Sequence, residues 1–397
     1  MRIFNKSKLL LLFVFFIIIV SLTMKFSYAI FSYEENFDNS ISLTSAVDFS
    51  VIPNIEDYYV YIDNNSQEYI NFFQEHYEMG MFTPEEELDE NELLVYYKLL
   101  NTSYMDNGYT VKLNDKFKEA LNNNVNYVDS LGNTWIAGSP LPNPGSYYDG
   151  NSGVGKVTSL ERLFKRTTVS DLDFSLYDTS NIKNMSYMFF ESQVKNLNIT
   201  NFDTSKVVSM RSMFAYSEII SMDVSGFDTS NVVDFNRLFT ACPATEIDVS
   251  RFDTSKVTDM YAMFYETEAK VIDISNFDTS KVTNMKSMFW NLKATTLDVS
   301  NFNTGNVIDM SYMFYACGST KLDVSNFNTS KVTNMEYMFR SSKVVNLDVS
   351  NFDITKVTKM ANIFTNSLAN PIYVKDQASL NKFVTQGLAI SSRLIIK

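Results

Sequence analysis

The segment Asn-Phe-Asp-Thr-Ser, in near-identical forms, returns every 25 residues, with its aromatic at Tyr177, Phe202, Phe227, Phe252, Phe277, Phe302, Phe327 and Phe352. No insertion or deletion interrupts the copies. A strict period of this length marks an array in which each unit packs on its neighbours, because one unit is too small to bury its own apolar face. The period therefore constrains shape tightly and ligand hardly at all.

The copy Leu322–Phe339 shows how a unit is expected to fold. Leu322 and Val324 alternate with Asp323 and Ser325, as in a half-buried strand. Phe327 plugs the corner, and Asn328, Thr329 and Ser330 supply turn and capping oxygens. Val332, Met335, Met338 and Phe339 then read as one face of a two-turn helix. Stacked over 157–374, such units predict an α/β solenoid with a parallel sheet on one face and short helices on the other. Its ends need covers. The linker 131–156, rich in Pro and Gly, reads as the N-terminal cap together with the half-repeat at Val157, Leu160, Leu163 and Phe164. Residues 375–397 read as the C-terminal cap, with a helix over Ala378–Val384 and a strand at Leu394–Ile396.

The repeated motif LDVSNFDTSKVTNMxxMF resembles that of BspA-type leucine-rich-repeat-like bacterial surface proteins, over about 157–374. The resemblance implies an exported or surface location and a role in binding host proteins or other cells. It transfers no ligand-binding residue, since the repeated positions are scaffold.

Residues 1–29 have the form of an export signal: basic Arg2, Lys6 and Lys8, an apolar stretch Leu9–Leu22, and small residues at Ser27 and Ala29. Cleavage after Ala29 is expected, and the rival is an uncleaved anchor, the one route to membrane contact. Residues 30–130 match no nameable pattern and are expected to be partly disordered. Within them, helices are predicted over Thr83–Leu100 and Asp115–Leu121, and a hairpin over Tyr127–Ile136. A net charge of −13 argues against nucleic acid. The expected location is secreted or cell-surface.

Catalytic chemistry finds little support. The one histidine, His76, lies outside the repeats, and no catalytic triad, metal-spaced His/Cys group or phosphate loop appears. No enzyme, cofactor or metal is expected. Cys242 and Cys317 lie three whole repeats apart, beyond disulfide reach. Thirteen of the 19 methionines fill two columns that read as core packing.

Two columns remain as candidate binding features. Asp223, Asp248, Asp273, Asp298, Asp323 and Asp348 share an outward strand position, and their repulsion needs an offset from hydrogen bonds to the row Ser225, Ser250, Ser275, Ser300, Ser325 and Ser350, from hydration or from cations; the row is either a solvated ladder or a site for cations or a basic partner. Tyr265, Trp290 and Tyr315, flanked by Tyr312 and Tyr337, break the repeat consensus in consecutive copies and are expected to point away from the core, where clustered aromatics make binding hot spots. The function expected is an adhesin presenting an extended face to a protein on a host or neighbouring cell. The alternative is a structural envelope or surface-layer component acting by self-association.

Overall fold

A computed structural model describes residues 59–63, 108–130, 132, 134–142, 146–148, 154–387 and 389–397. All belong to one unit, Pro53–Lys397. The predicted signal segment 1–29, the helix expected over 83–100, and His76 lie outside the described residues.

The chain enters through a small mixed cap. Strands β1 (Tyr59–Asp63), β2 (Gly108–Leu113), β5 (Ser146–Tyr148) and β6 (Val154–Ser159) form a sheet in the order β1-β2-β6-β5. Helix α1 (Asp115–Asn122) starts at Asn114, whose side chain accepts from the Lys116 amide. The hairpin β3 (Tyr127–Val128) and β4 (Thr134–Trp135) follows, as its Gly132 turn predicts. Phe117 packs against Tyr127 and Trp135, and with Val111, Leu121 and Leu141 it joins the same core as the first repeats. The cap core thus begins by Val111, ahead of the boundary expected at residue 131.

From Ser159 onward each repeat lies in register on the next. Parallel bridges run Ser159, Asn184, Ser209, Asp234, Asp259, Asn284, Asp309, Asn334 and Lys359, one per repeat. The short helix expected in each repeat is absent. Residues 335–341 show what replaces it. The amides of Met335, Tyr337, Phe339 and Ser341 donate to Lys359, Ala361, Ile363 and Thr365 of the next repeat. The amides between them, Met338 and Arg340, donate three residues back, to Met335 and Tyr337. The segment is therefore a run of tight turns whose alternate N–H groups are exported to the neighbouring coil. Two residues per repeat take a left-handed conformation to achieve this, as at Tyr312 and Ala316 (φ 59° and 50°). The apolar spacing of three suits such turns as well as it suits a helix, which is why sequence misplaces it.

The parallel sheet is also less than expected. Strand β7 (Asp171–Asp173) pairs with β8 (Asn196–Asn198), and β9 (Leu347–Asp348) with β10 (Ile372–Val374). Between these pairs, residues 222–224, 247–249, 272–274, 297–299 and 322–324 have no backbone hydrogen bond to the same stretch of the next repeat. The result is a mixed α/β chain with few helices and small sheets.

The interior is a set of columns. Phe164, Phe189, Phe214, Phe239, Phe264, Phe289, Phe314, Phe339 and Phe364 stack nearly parallel, 5.5 to 6.0 Å apart. Both methionine columns are buried, as expected, and so are Cys242 and Cys317, both free thiols. A threonine column from Thr179 to Thr329 is buried too, each hydroxyl donating 3.0 Å to a carbonyl of the next repeat. In the last repeat, where no further coil follows, this position is Ile354.

The C-terminal cap takes over there. Helix α2 (Gln377–Thr385), capped by Asp376, places Phe383 on the end of the phenylalanine column and Lys382 Nζ on the Ile354 and Val357 carbonyls. Strand β11 (Leu394–Ile396) pairs with β10, and Arg393 bonds the Ser367 and Ala369 carbonyls. Both cap elements fall where the sequence predicts them.

The turn assignment reverses the sign of a common substitution. Ala316→Gly relieves a left-handed residue and should stabilise the chain by about 0.5–1 kcal/mol. In a helix the same change would cost about as much. Chemical denaturation of the variant decides between the two.

Candidate functional site: an aromatic column and three Asx ladders

The five aromatics singled out in the sequence meet in one column. Tyr265 lies 5.2 Å from Trp290, which stacks on Tyr315 at 4.1 Å and Tyr312 at 4.7 Å. Tyr312 stacks in turn on Tyr337 at 4.7 Å. The Arg340 guanidinium closes the column over the Tyr337 and Tyr315 rings. All six residues are half-buried. Because the rings face one another, they spend much of their faces on inter-repeat packing. The expected orientation away from the core therefore holds only in part. The Tyr265 hydroxyl is pushed up to about 12 by burial and by the neighbouring Glu266.

The rest of this side is built from cations on rings. Arg162 covers Tyr187, Lys165 covers Phe190, and Arg237 and Lys286 cover Tyr261. Burial and the adjacent Arg162 and Arg166 lower the Lys165 ammonium to about 8.

Serine hydroxyls bond most of the acidic ladder, as the sequence allows, but the carboxylates also cap the backbone, which the sequence reading missed. In Asp223, Asp248, Asp273, Asp298, Asp323 and Asp348 one carboxylate oxygen accepts the backbone N–H of the serine two residues on, at 2.9 to 3.0 Å. Each is an Asx turn that ends the alternating apolar–polar stretch. The same device recurs at the phenylalanine corner, from Asp178 to Asp353, and again at the bridge position, from Asn184 to Asn334. Most repeats thus turn at three side-chain caps, and the recurring Asp-x-Ser spacing was the available signal. Hydrogen bonds from the serine hydroxyls and amides hold Asp223, Asp248, Asp273 and Asp298 below the usual carboxylate range. Among the described residues no three His, Cys, Asp or Glu side chains gather as a metal site. Asp298→Ala should cost about 1 kcal/mol through the lost cap, while Asp298→Asn, which retains an acceptor, should cost little. Thermal melts of the two variants separate a capping role from a purely electrostatic one.

One rung breaks the pattern of the bridge column. Asp234 and Asp259 are adjacent carboxylates, where other neighbours alternate with Asn or Ser. Asp234 is buried with Arg211 Nη1 at 3.6 Å, and the Asn236 amide donates to Asp259. Burial first, and the Asp234 charge second, push Asp259 up to about 6. A raised carboxyl destabilises the fold above its folded pKa and not below its unfolded one. Asp259→Asn should therefore raise the melting temperature at neutral pH, and the gain should vanish as pH falls below about 4. A gain independent of pH would place the effect elsewhere.

With this geometry in hand, comparison with known proteins adds one finding. Residues 158–271 and again 266–373 match the family described as Mycoplasma protein of unknown function, DUF285. Together the two matches span 158–373, over half of the 397 residues. The chain belongs to this family. DUF285 is a repeat-containing bacterial family, and the matched span contains every aromatic of the column and every carboxylate of the acidic ladder. No curated protein and no solved structure matches the chain.

Proposed function

We propose that this DUF285 chain is an exported, non-enzymatic solenoid of the BspA-type leucine-rich-repeat-like kind that acts as an adhesin, binding a protein on a host or neighbouring cell. The observation that carries the reading is the column Tyr265, Trp290, Tyr312, Tyr315 and Tyr337: contiguous, half-buried, and built at positions where the other repeats carry Ala, Thr, Ser, Arg or Asn, with aromatics again only at Tyr187 and Phe190. Core columns keep one residue type from repeat to repeat, whereas this one departs from the scaffold over four repeats. Tyr and Trp edges with hydroxyl and N–H donors are the usual chemistry of protein-binding hot spots. Two further departures fall in the same stretch. The corner acid becomes Asn303 and Asn328, and an open groove lies beside Leu297 and Leu322.

The alternative, a structural envelope component acting by self-association, is supported by strand β11, which lies at the edge of its sheet and exposes Ile395 and Ile396. Sedimentation over a hundredfold concentration range tests it.

For the adhesin, the partner is sought by capture on host-cell and neighbour-cell surfaces with the full chain. Substituting Tyr312, Tyr315 and Tyr337 together by Phe keeps the stack and removes three hydroxyls. This variant should melt near the parent temperature yet bind more weakly. Trp290→Ala should weaken binding by at least about 2 kcal/mol and, given its ring partners, lower the melting temperature as well. Undiminished binding by both folded variants would sink the assignment.

A further inference from the structure

The arginines on the turn side of the array find partners within the chain, except at the end of the aromatic column. Arg162 pairs with Glu161, Arg166 with Glu191 and Arg211 with Asp234, and Arg237 donates to the Tyr261 hydroxyl at 3.3 Å. Arg340 does neither. Its guanidinium carbon lies 5.3 Å from the centre of the Tyr337 ring and 5.9 Å from that of Tyr315. Among the described residues it forms no ion pair, not even with Glu336 four positions back. Its Nε is sealed from solvent without an acceptor, while its two Nη nitrogens, which bond nothing in the chain, are not sealed.

A guanidinium so placed is ready for an anion. Two rings hold its position, and its charge has no counter-ion in a protein of net charge −13. Its fork of N–H donors matches a carboxylate in both shape and charge. The surroundings narrow the source of that carboxylate. A sugar binds aromatics by lying flat on an open ring face, and Trp290 is already stacked on Tyr315 at 4.1 Å and on Tyr312 at 4.7 Å. Trp, Tyr and Arg side by side are instead the residues that dominate the centres of protein–protein interfaces. The net charge of the protein repels a run of acids as a whole. What fits is one carboxylate among apolar neighbours.

Resting on the adhesin reading, we propose that Arg340 receives a single Asp or Glu carboxylate of the partner protein, flanked by apolar or aromatic side chains that lie against Tyr315 and Trp290. Arg340 then fixes where the partner's segment sits, and the rings supply the contact area.

A displayed library of random heptapeptides is selected in parallel on the full chain and on Arg340→Gln. The strongest peptide from the first selection is then titrated against both proteins, with its acid intact and with the acid replaced by the matching amide. Peptides selected on the parent should share one Asp or Glu beside apolar or aromatic residues, a signature that the overall negative field works against. The amide replacement should weaken binding to the parent at least about tenfold and leave binding to Arg340→Gln within about twofold. Selection of no peptide, of peptides without an acid, or of an acid whose replacement costs as much on Arg340→Gln as on the parent would overturn the proposal. So would a glucuronate-bearing disaccharide that displaces the peptide at equal concentration, since the carboxylate would then belong to a glycan. If Arg340→Gln does not fold, Arg340→Lys takes its place: the charge stays, the fork is lost, and an undiminished contribution from the acid overturns the proposal. Acid-free peptides that still require Trp290 would leave the adhesin reading standing without this contact, whereas failure of cell-surface capture counts against that reading itself.

Discussion

Everything in the repeat region depends on backbone N–H groups that leave their own coil. In a helix each amide is satisfied within the segment, so the helix exists before it packs. Here alternate amides from Met335 to Ser341 are satisfied only by the following repeat. A lone repeat would leave four donors unpaired, each a cost of about 1–3 kcal/mol once buried. Register follows from this. Because every coil is fastened to the next at the same positions, equivalent side chains must sit on one another, and the 25-residue period cannot slip. It also explains the columns. Phe on Phe and Met on Met gain from contact, and Thr on carbonyl is self-propagating. Charge on like charge is tolerated only where water reaches it, as along the exposed acidic ladder, so the more buried bridge column interleaves Asp with Asn and Ser, and in another column lysines such as Lys206, Lys256 and Lys331 reach the Asn side chain one repeat back. The Asp234–Asp259 rung stands out because it sets like charges together away from water.

Much of this was legible in sequence, and the failures have a common physical origin. Inward positions were readable, since burial of Leu297, Val299, Phe302, Val307, Met310 and Phe314 follows from the repeat alone. The cap helix after Asp376 was readable from its capping residue and composition. The turns were not, because the left-handed positions are held by Arg, Tyr, Ser, Ala, Glu and Asn and never by the glycine that normally signals them. Lateral bonding between identical coils stabilises a conformation that no local propensity announces. The acidic ladder and the serine row beside it were legible as hydrogen-bonding partners, but the cap that each carboxylate places on the backbone amide of that serine was not.

The aromatic column was legible as an adjacency and not as a geometry. Spacing by whole repeats guarantees that Trp290 neighbours Tyr265 and Tyr315. Only the structure shows that the rings close face to face and that Tyr312 enters between Trp290 and Tyr337. That arrangement makes the column both packing and surface. The same residues that mark a binding face also join four repeats, so natural variation there is coupled to the stability of the array.

The ring spacings carry one more consequence. The ring-to-ring distance from one repeat to the next is 4.1 to 5.2 Å along the surface aromatics, 5.5 to 6.0 Å in the buried phenylalanine column, and 6.4 to 6.5 Å at the far corner. The bridges from Ser159 to Lys359 fasten the backbone of every coil to the next, so these distances record how the rings lean and not how far the coils stand apart. The surface aromatics close on one another more tightly than the rings of the core do, and a partner on that side meets one continuous ribbon in place of separate side chains.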